Sequence, residues 1–236
     1  MDIRLHAIEQ GEGEPFVLLH GNGEDASYFQ AQIQYFSQRY RVIAVDTRGH
    51  GQSPRGEGPF TLTRFADDLK AALDERGIKR IILLGFSDGG NIALLFALRY
   101  PEMVQRLILN GANLSPWGVK LGTQLPIVLE YGLVSLLALG SRRARRKKEI
   151  LGLMVREPHI SPQQLSQIQA PTLVLAGTKD MIRTKHTKSI AEAIPDSRLV
   201  LVPGDHFIAA KQSKEFHRAI DSFLGAAAVR LPSGNG

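Results

Sequence analysis

The pentapeptide Gly85-Phe86-Ser87-Asp88-Gly89 constrains the fold of this chain more than any other feature of the sequence. It directly follows the apolar stretch 80–84, and this order predicts a buried strand that enters a sharp turn and then opens a helix. In so tight a turn, the residues two before and two after the serine must be small, and both are glycine. The turn would present the Ser87 hydroxyl beside the first amides and the positive end of the helix dipole, which suits a developing oxyanion.

Short apolar runs alternate with helical patterns along nearly the whole chain, without an internal repeat. Strands are predicted at 16–19, 42–45, 81–84, 107–109, 172–176 and 199–202, and an antiparallel edge strand at 3–8. Helices are predicted at 26–39, 62–76, 89–99, 185–193 and 211–224. Most strand candidates are continuous apolar runs, which is typical of parallel strands buried on both faces. The pattern therefore predicts an α/β fold, with a mostly parallel central sheet flanked by helices.

Residues 113–169 interrupt this alternation, because they hold helical patterns and prolines but no strand candidate. They predict a small helical cap over the carboxyl ends of the strands, where ligands bind in open α/β sheets. The core is then expected to comprise residues 1–112 and 170–226, and the tail 227–236 is expected to be disordered.

Composition excludes several classes of site. The 236 residues include no cysteine, so disulfides, thiolate metal sites and a cysteine nucleophile are impossible. We expect no metal and no organic cofactor. The first residues lack the charged and apolar regions of a signal peptide, which predicts a cytoplasmic location.

The formal net charge of +6 is concentrated in the run 142–148, where six of seven residues are Arg or Lys. The run contains no aromatic residue, and this argues against a nucleic-acid-binding face. We interpret it as a solvated helix face. The less favoured alternative is contact with an anionic partner or a membrane surface, because the preceding stretch 125–140 is rich in Leu and Val.

A serine hydroxyl becomes a nucleophile only beside a base that is itself oriented by an acid. Asp180 and His206 each follow a predicted core strand, so both should lie at the same sheet edge as Ser87. The chain order Ser, Asp, His predicts a catalytic triad. Asp205 is a poorer acid because it adjoins the base, and the turn after the strand at 107–109 carries Asn110 instead of a carboxylate.

The other histidines are expected to have structural or surface roles. His20 and His50 precede glycines in turns after strands, where they would hold the loops by hydrogen bonds. Surface positions are expected for the histidines that follow no core strand, which are His6, His159, His186 and His217.

The Gly-rich turn 20–23 follows the first core strand and should face the same cleft. There the backbone amide of Asn22 would complete an oxyanion hole with the amide of Asp88. The alternative is a turn needed only for chain reversal.

Five motifs in this order make the chain resemble the α/β-hydrolase superfamily, in its lipase, esterase and C–C hydrolase branch, over roughly residues 3–224. They are the His20-Gly21 turn, the loop Asp46-Thr47-Arg48-Gly49-His50-Gly51-Gln52-Ser53, the turn at Ser87 and the loops carrying Asp180 and His206. The resemblance implies a serine hydrolase of the EC 3.1.1 type that cleaves carboxylic esters of small to medium acyl groups. Amino-acid esters, thioesters, amides and C–C bonds remain alternatives, as does a slow-turnover ligand receptor on the same scaffold.

The partner is expected to be a small-molecule ester. Its binding surface is predicted to include Gly21, Asn22, Phe86, Trp117, Tyr131 and Phe207. Asp88 has two interpretations: a similar Ser-Asp-Gly-Gly turn occurs in valacyclovir hydrolase-like enzymes, where the acid recognises an α-amino group. We favour the other, a carboxylate that stabilises the first turn of a helix.

Overall fold

The computed structural model describes residues 2–225, so the tail predicted at 227–236 lies outside the described residues. The seven strands of the sheet are β1 (Ala7–Gln10), β2 (Pro15–Leu19), β3 (Arg41–Val45), β4 (Ile81–Phe86), β5 (Val104–Asn110), β6 (Thr172–Gly177) and β7 (Ser197–Val202). Their order across the sheet is β1-β3-β2-β4-β5-β6-β7. β1 pairs antiparallel with β3, and every other pairing is parallel.

The α-helices are α1 (Gln30–Phe36), α2 (Leu62–Glu75), α3 (Asp88–Arg99), α4 (Leu121–Leu137), α5 (Arg142–Arg156), α6 (Pro162–Leu165), α7 (Thr184–Ala193), α8 (Ile208–Lys211) and α9 (Ser213–Leu224). Short 3-10 turns stand at Ala26–Phe29, Pro101–Met103 and Pro116–Gly118. The result is the predicted α/β fold, a mostly parallel sheet with helices on both faces.

Two apolar clusters explain why the strands are continuous apolar runs. In β2, Val17 and Leu19 belong to a cluster that also includes side chains of α2 and α3. Phe16 and Leu18 belong to a second cluster, which includes side chains of α1 and α9. Successive side chains of a strand point to opposite faces, so a strand covered on both sides needs an apolar residue at every position.

Three predicted elements are shortened or divided in the structure, and the boundaries of the others differ by up to three residues. The edge strand begins at Ala7 instead of residue 3, since Ile3 and Leu5 are buried core side chains ahead of it. The helix predicted at 26–39 is a 3-10 turn followed by α1, which ends at Phe36. The helix predicted at 211–224 is divided at Gln212, where α8 stops and α9 begins.

Residues 113–169, all of which the structure describes, contain α4, α5 and α6 and no strand. An isolated bridge between Val119 and Ile182 joins the start of this insertion to the loop after β6. The insertion therefore lies between β5, which pairs with β4, and β6, the next strand across the sheet. Ser87 directly follows the end of β4.

Candidate active site

Ser87 occupies the turn between β4 and α3 in a strained backbone conformation. Its φ of 53° makes it the one non-glycine residue among residues 2–225 with positive φ. The Ser87 N–H donates to the Asn110 carbonyl at the end of β5, over 2.8 Å. A Cβ added at Gly85 would lie 2.1 Å from the Gly89 carbonyl oxygen, and one at Gly89 would lie 2.1 Å from the Leu19 carbonyl oxygen. The two glycines are thus a steric requirement of the turn.

Asp180 and His206 form a buried pair at the ends of β6 and β7. The distance between Nδ1 of His206 and Oδ1 of Asp180 is 2.7 Å. Oδ1 also accepts from the Ile182 N–H at 2.9 Å, which fixes the carboxylate. The rival acid, Asp205, is exposed and is bonded to Lys211 at 2.5 Å. Since a carboxylate only accepts, Nδ1 of His206 carries the proton and Nε2 has a free lone pair.

Backbone contacts bring this imidazole to the serine turn. A Cβ at Gly111, directly after the Asn110 that binds Ser87, would lie 2.6 Å from Cε1 of His206. The ring of Phe86, directly before Ser87, lies 4.8 Å from the imidazole centroid. Nε2 is buried and has no hydrogen-bond partner among residues 2–225, so no hydrogen bond joins it to Ser87 in this conformation. The structure thus leaves an unpartnered basic nitrogen next to the residues that flank the serine.

The amides of Asn22 and Asp88 stand at the start of the turn after β2 and at the first residue of α3. Within the described part of the chain, neither N–H has an acceptor in the protein. The turn after β2 is held by His20, whose Nδ1 donates to the Gly21 carbonyl at 2.8 Å and whose Nε2 accepts from the Thr47 N–H at 3.1 Å. Burial lowers the pKa of His20 to about 4, so this neutral tautomer persists at pH 7.

The Asp88 side chain belongs to a buried polar network. Its Oδ2 accepts from Asn22 Nδ2 at 2.8 Å, and its Oδ1 accepts from Asn91 Nδ2 at 3.3 Å. Burial raises the pKa of Asp88 to about 6. Asn22 Nδ2 also donates to the Ile150 carbonyl in α5, at 3.0 Å. Both carboxylate oxygens are thereby engaged inside the protein.

The predicted substrate-contacting residues lie in three different places. Gly21 and Phe86 are close to each other, because a Cβ at Gly21 would lie 3.1 Å from the Phe86 ring. Phe207 is partly exposed and belongs to the same place, because its ring centroid lies 5.8 Å from that of Phe86 and 5.5 Å from that of His206.

Trp117 and Tyr131 line separate cavities in the insertion. Trp117 is 78% exposed and borders a cavity of about 340 Å³. Tyr131 borders another, of about 380 Å³, beside Phe60 and Glu157. Neither cavity is lined by Ser87, Asp180 or His206, so a substrate role for these two aromatics stays a prediction.

Among residues 2–225, no group of three or more His, Asp or Glu side chains is arranged so that it could hold a metal ion.

Comparison with known proteins identifies the family. The sequence profile of the α/β hydrolase fold matches residues 14–134, which is more than half of the chain. The chain belongs to the α/β hydrolase family. The mouse serine hydrolase BPHL is 29% identical over 94% of this chain and 83% of its own length. The 3-oxoadipate enol-lactonase 2 of Acinetobacter baylyi is 27% identical over 94% of both chains.

Solved structures agree with this assignment. A hydrolase from Pseudomonas aeruginosa superposes with a TM-score of 0.73 at 25% identity, covering 94% of each chain. Est816, described as an N-acyl homoserine lactone degrading enzyme, gives a TM-score of 0.74 at 25% identity, over 94% of this chain and 97% of its own. This α/β hydrolase therefore shares its fold over nearly its whole length with proteins that carry hydrolase names.

Sequence reasoning missed some residues of this hydrolase's candidate site. Gly111 was not singled out, although its place directly after a core strand was a usable signal. Asn91 donates to Asp88 and to Asn113, and it accepts from the Asn113 N–H. Neither asparagine belongs to a recognisable sequence motif. Among the histidines, His20 and His50 bond within their loops as expected. The surface position expected for His217 is wrong, because its ring is buried against Tyr35.

Proposed function

We propose that this protein is a serine hydrolase that cleaves carboxylic esters of small to medium acyl groups through an acyl-enzyme. Ser87 Oγ attacks the acyl carbon while His206 Nε2 takes its proton, and the Asp180 carboxylate stabilises the imidazolium through Nδ1. The amides of Asn22 and Asp88 bind the oxyanion. His206 then gives the proton to the departing alcohol, and a water activated by the same base releases the acid.

The observation that carries the proposal is the buried Asp180–His206 pair. Its imidazole has an unpartnered Nε2 and packs against the ring of Phe86, directly before a serine held at positive φ. Backbone strain at a nucleophile persists only where the surrounding structure enforces it, as Gly85 and Gly89 do here. Rotation of the Ser87 side chain about its Cα–Cβ bond changes the position of Oγ without moving the backbone. Apo hydrogen bonds of this kind are often loose and tighten with substrate.

The relatives support the choice of an ester bond. Two of them carry names that describe lactone chemistry, and a lactone is a cyclic ester. The Asp88 carboxylate is buried with both oxygens bonded to Asn side chains, which supports a structural role over recognition of a substrate amino group.

The test is hydrolysis of p-nitrophenyl acetate, butyrate and hexanoate, and of a γ-lactone, by the purified protein. We expect turnover of at least one of these, and a loss on the order of 10⁴–10⁶ in kcat for Ser87→Ala. The matched control is Ser166→Ala, an exposed serine outside the candidate site, which should retain full activity. Unchanged turnover in Ser87→Ala would exclude the mechanism.

A fluorophosphonate probe separates the enzyme from a receptor. An enzyme is labelled at Ser87 and turns over an ester of the panel. Labelling combined with negligible turnover across the panel would favour the slow-turnover receptor instead.

A further inference from the structure

Helix α4 exposes an apolar surface that the core does not cover. Leucines recur on its outer side at spacings of three or four, with Leu129 66%, Leu133 60% and Leu136 69% exposed. Leu121, Leu125 and the neighbouring Trp117 extend the same surface. A 17-residue helix is about 25 Å long, so this is a continuous apolar face far beyond scattered surface leucines.

Helices α4 and α5 form an antiparallel hairpin that places cations beside this face. Gln124 Nε2 donates to the Met154 carbonyl at 3.1 Å near one end, and Glu130 is ion-paired with Lys147 further along. At the turn of the hairpin, Leu133 and Leu137 line the same groove as Arg143 and Lys147. The apolar stripe and the basic run are therefore contiguous.

Three further cations of the run form a second basic surface on α5. Arg142, Arg145 and Arg146 line one groove together with Arg55. Glu149 is the acid in that groove, and Arg55 binds it at 2.5 Å. The three arginines of α5 thus keep an uncompensated positive charge next to the apolar hairpin.

We propose that the α4–α5 hairpin, residues 121–156, docks this protein on the surface of an anionic lipid bilayer. Helix α4 lies along the membrane with its leucines among the upper acyl chains, and the basic run contacts the phosphates. Among the described residues, no helix has both the length and the apolar content to cross a bilayer. The sequence favoured a solvated face for the basic run, and the leucines exposed beside it reverse that preference.

Charge complementarity favours lipid over a second copy of the chain. Each copy carries six cations within residues 142–148. A dimer formed through two α4 faces would place the basic runs of both copies close together. Repulsion between these like charges would destabilise the dimer. An anionic membrane instead attracts the run, and each basic residue near the surface raises the affinity of the protein about fivefold.

The experiment is co-sedimentation of the full chain with vesicles of phosphatidylcholine alone or with 30% phosphatidylglycerol. We expect binding that requires phosphatidylglycerol and weakens as salt is raised from about 0.1 to 0.5 M. Leu129→Glu/Leu133→Glu should lower the partition coefficient at least about tenfold. Arg142→Glu/Arg143→Glu should lower it at least about thirtyfold, because two attractive charges are lost and two repelling ones are added. Acidic residues at a helix N-terminus favour the helix, so the variant should stay folded.

Two matched controls carry the same chemical changes elsewhere. Leu201→Glu adds a charge at an exposed leucine of β7, and Lys79→Glu/Arg80→Glu reverses two exposed cations before β4. Both should bind like the wild type, and circular dichroism with thermal melting reports whether each variant is folded. Ser87→Ala should also bind normally, so failure of the ester hypothesis would leave this result intact.

Three outcomes would overturn the proposal. The first is no binding, or equal binding to neutral and anionic vesicles. The second is folded Leu129→Glu/Leu133→Glu protein that binds as well as Leu201→Glu. The third is a wild-type dimer in analytical ultracentrifugation that the double leucine variant converts to monomer, which would assign the face to a second copy.

Discussion

Asp88 shows how a single residue can serve the candidate site without reacting. Its carboxylate is buried one residue after Ser87 and accepts from Asn22, whose backbone amide is one of the two proposed oxyanion donors. Burial raises the pKa of Asp88 to about 6, from an ordinary value of 3.8. The side chain therefore positions the turn after β2 at a cost in stability when it is ionised.

Asp88→Asn should stabilise the protein above pH 6, by on the order of 2–3 kcal/mol, because the ionised carboxylate loses its hydration on burial. The replacement keeps an oxygen that accepts from Asn22 but turns its amide nitrogen towards Asn91 Nδ2, and the loss of that 3.3 Å bond reduces the gain by about 1 kcal/mol. Folded wild type takes up a proton below about pH 6, whereas the unfolded chain does so only near 3.8. The wild type therefore gains stability as pH falls through this window, and the advantage of the variant should shrink towards pH 4.

Urea denaturation at pH 8 and pH 4.5 measures both values. The control is Asp196→Asn at an exposed aspartate, which should show no such pH dependence. A variant less stable than wild type by the same amount at both pH values would contradict the prediction.

At this scale the sequence predicts the residues that follow strands and little else. Ser87, Asp180 and His206 each follow an apolar run, so their positions and chain order make them the candidates for a triad. The bond between Asn22 and Asp88 joins residues 66 positions apart, and no local pattern encodes it. His217 lies on an amphipathic helix, where a polar residue can face either side.

The elements bring the candidate site together through close backbone approaches. Gly111 has a φ of 64° directly after β5, and its missing Cβ leaves room for the His206 ring. Gly111 therefore lies between the imidazole of His206 and Asn110, the last residue of β5, whose carbonyl accepts from the Ser87 N–H.

Gly111→Ala should lower kcat for an ester by about a hundredfold, because a methyl group 2.6 Å from His206 Cε1 must displace the ring. Gly77→Ala is the matched control, since Gly77 has a φ of 66° and open space around its Cα. Both variants share the backbone penalty of about 1–2 kcal/mol, which thermal melting measures. Equal activities of the two variants would show that the contact with His206 does not matter.

Elements were predictable where both their faces are buried. The continuous apolar runs of β2 to β6 gave correct strands, because only residues covered on two sides need such a pattern. Helix α4 is apolar too, yet its leucines are exposed, since α5 packs against one side of it and the leucines lie on the outer side. Apolar composition normally indicates burial, so this exposure was not predictable.

The whole molecule couples its stability to pH through buried histidines. Burial lowers the pKa of both His20 and His217 to about 4, from 6.5. Such groups stabilise the fold fully above pH 6.5 and lose that contribution as pH falls towards 4. Asp88 acts in the opposite direction between pH 6 and 3.8, and it offsets part of the loss.

Acidification from pH 7 to 5 should therefore lower the free energy of unfolding by about 2–3 kcal/mol. His217→Phe keeps the ring stacked on Tyr35 and cannot titrate, so it should lose about 2 kcal/mol less over the same range. Denaturant titrations at the two pH values measure this, with the exposed His159→Phe as control. Identical pH slopes for His217→Phe and wild type would refute the assignment to His217.

The hydrogen bond from Asn22 to the Ile150 carbonyl links the insertion to the proposed oxyanion turn. An engineer who grafts a foreign lid between β5 and β6 must supply a new acceptor for that amide, or the Asn22 side chain loses one of its two hydrogen-bond partners. Exchanging the hairpin to alter the substrate range would thus also change the support of Asn22, whose backbone amide is a proposed oxyanion donor.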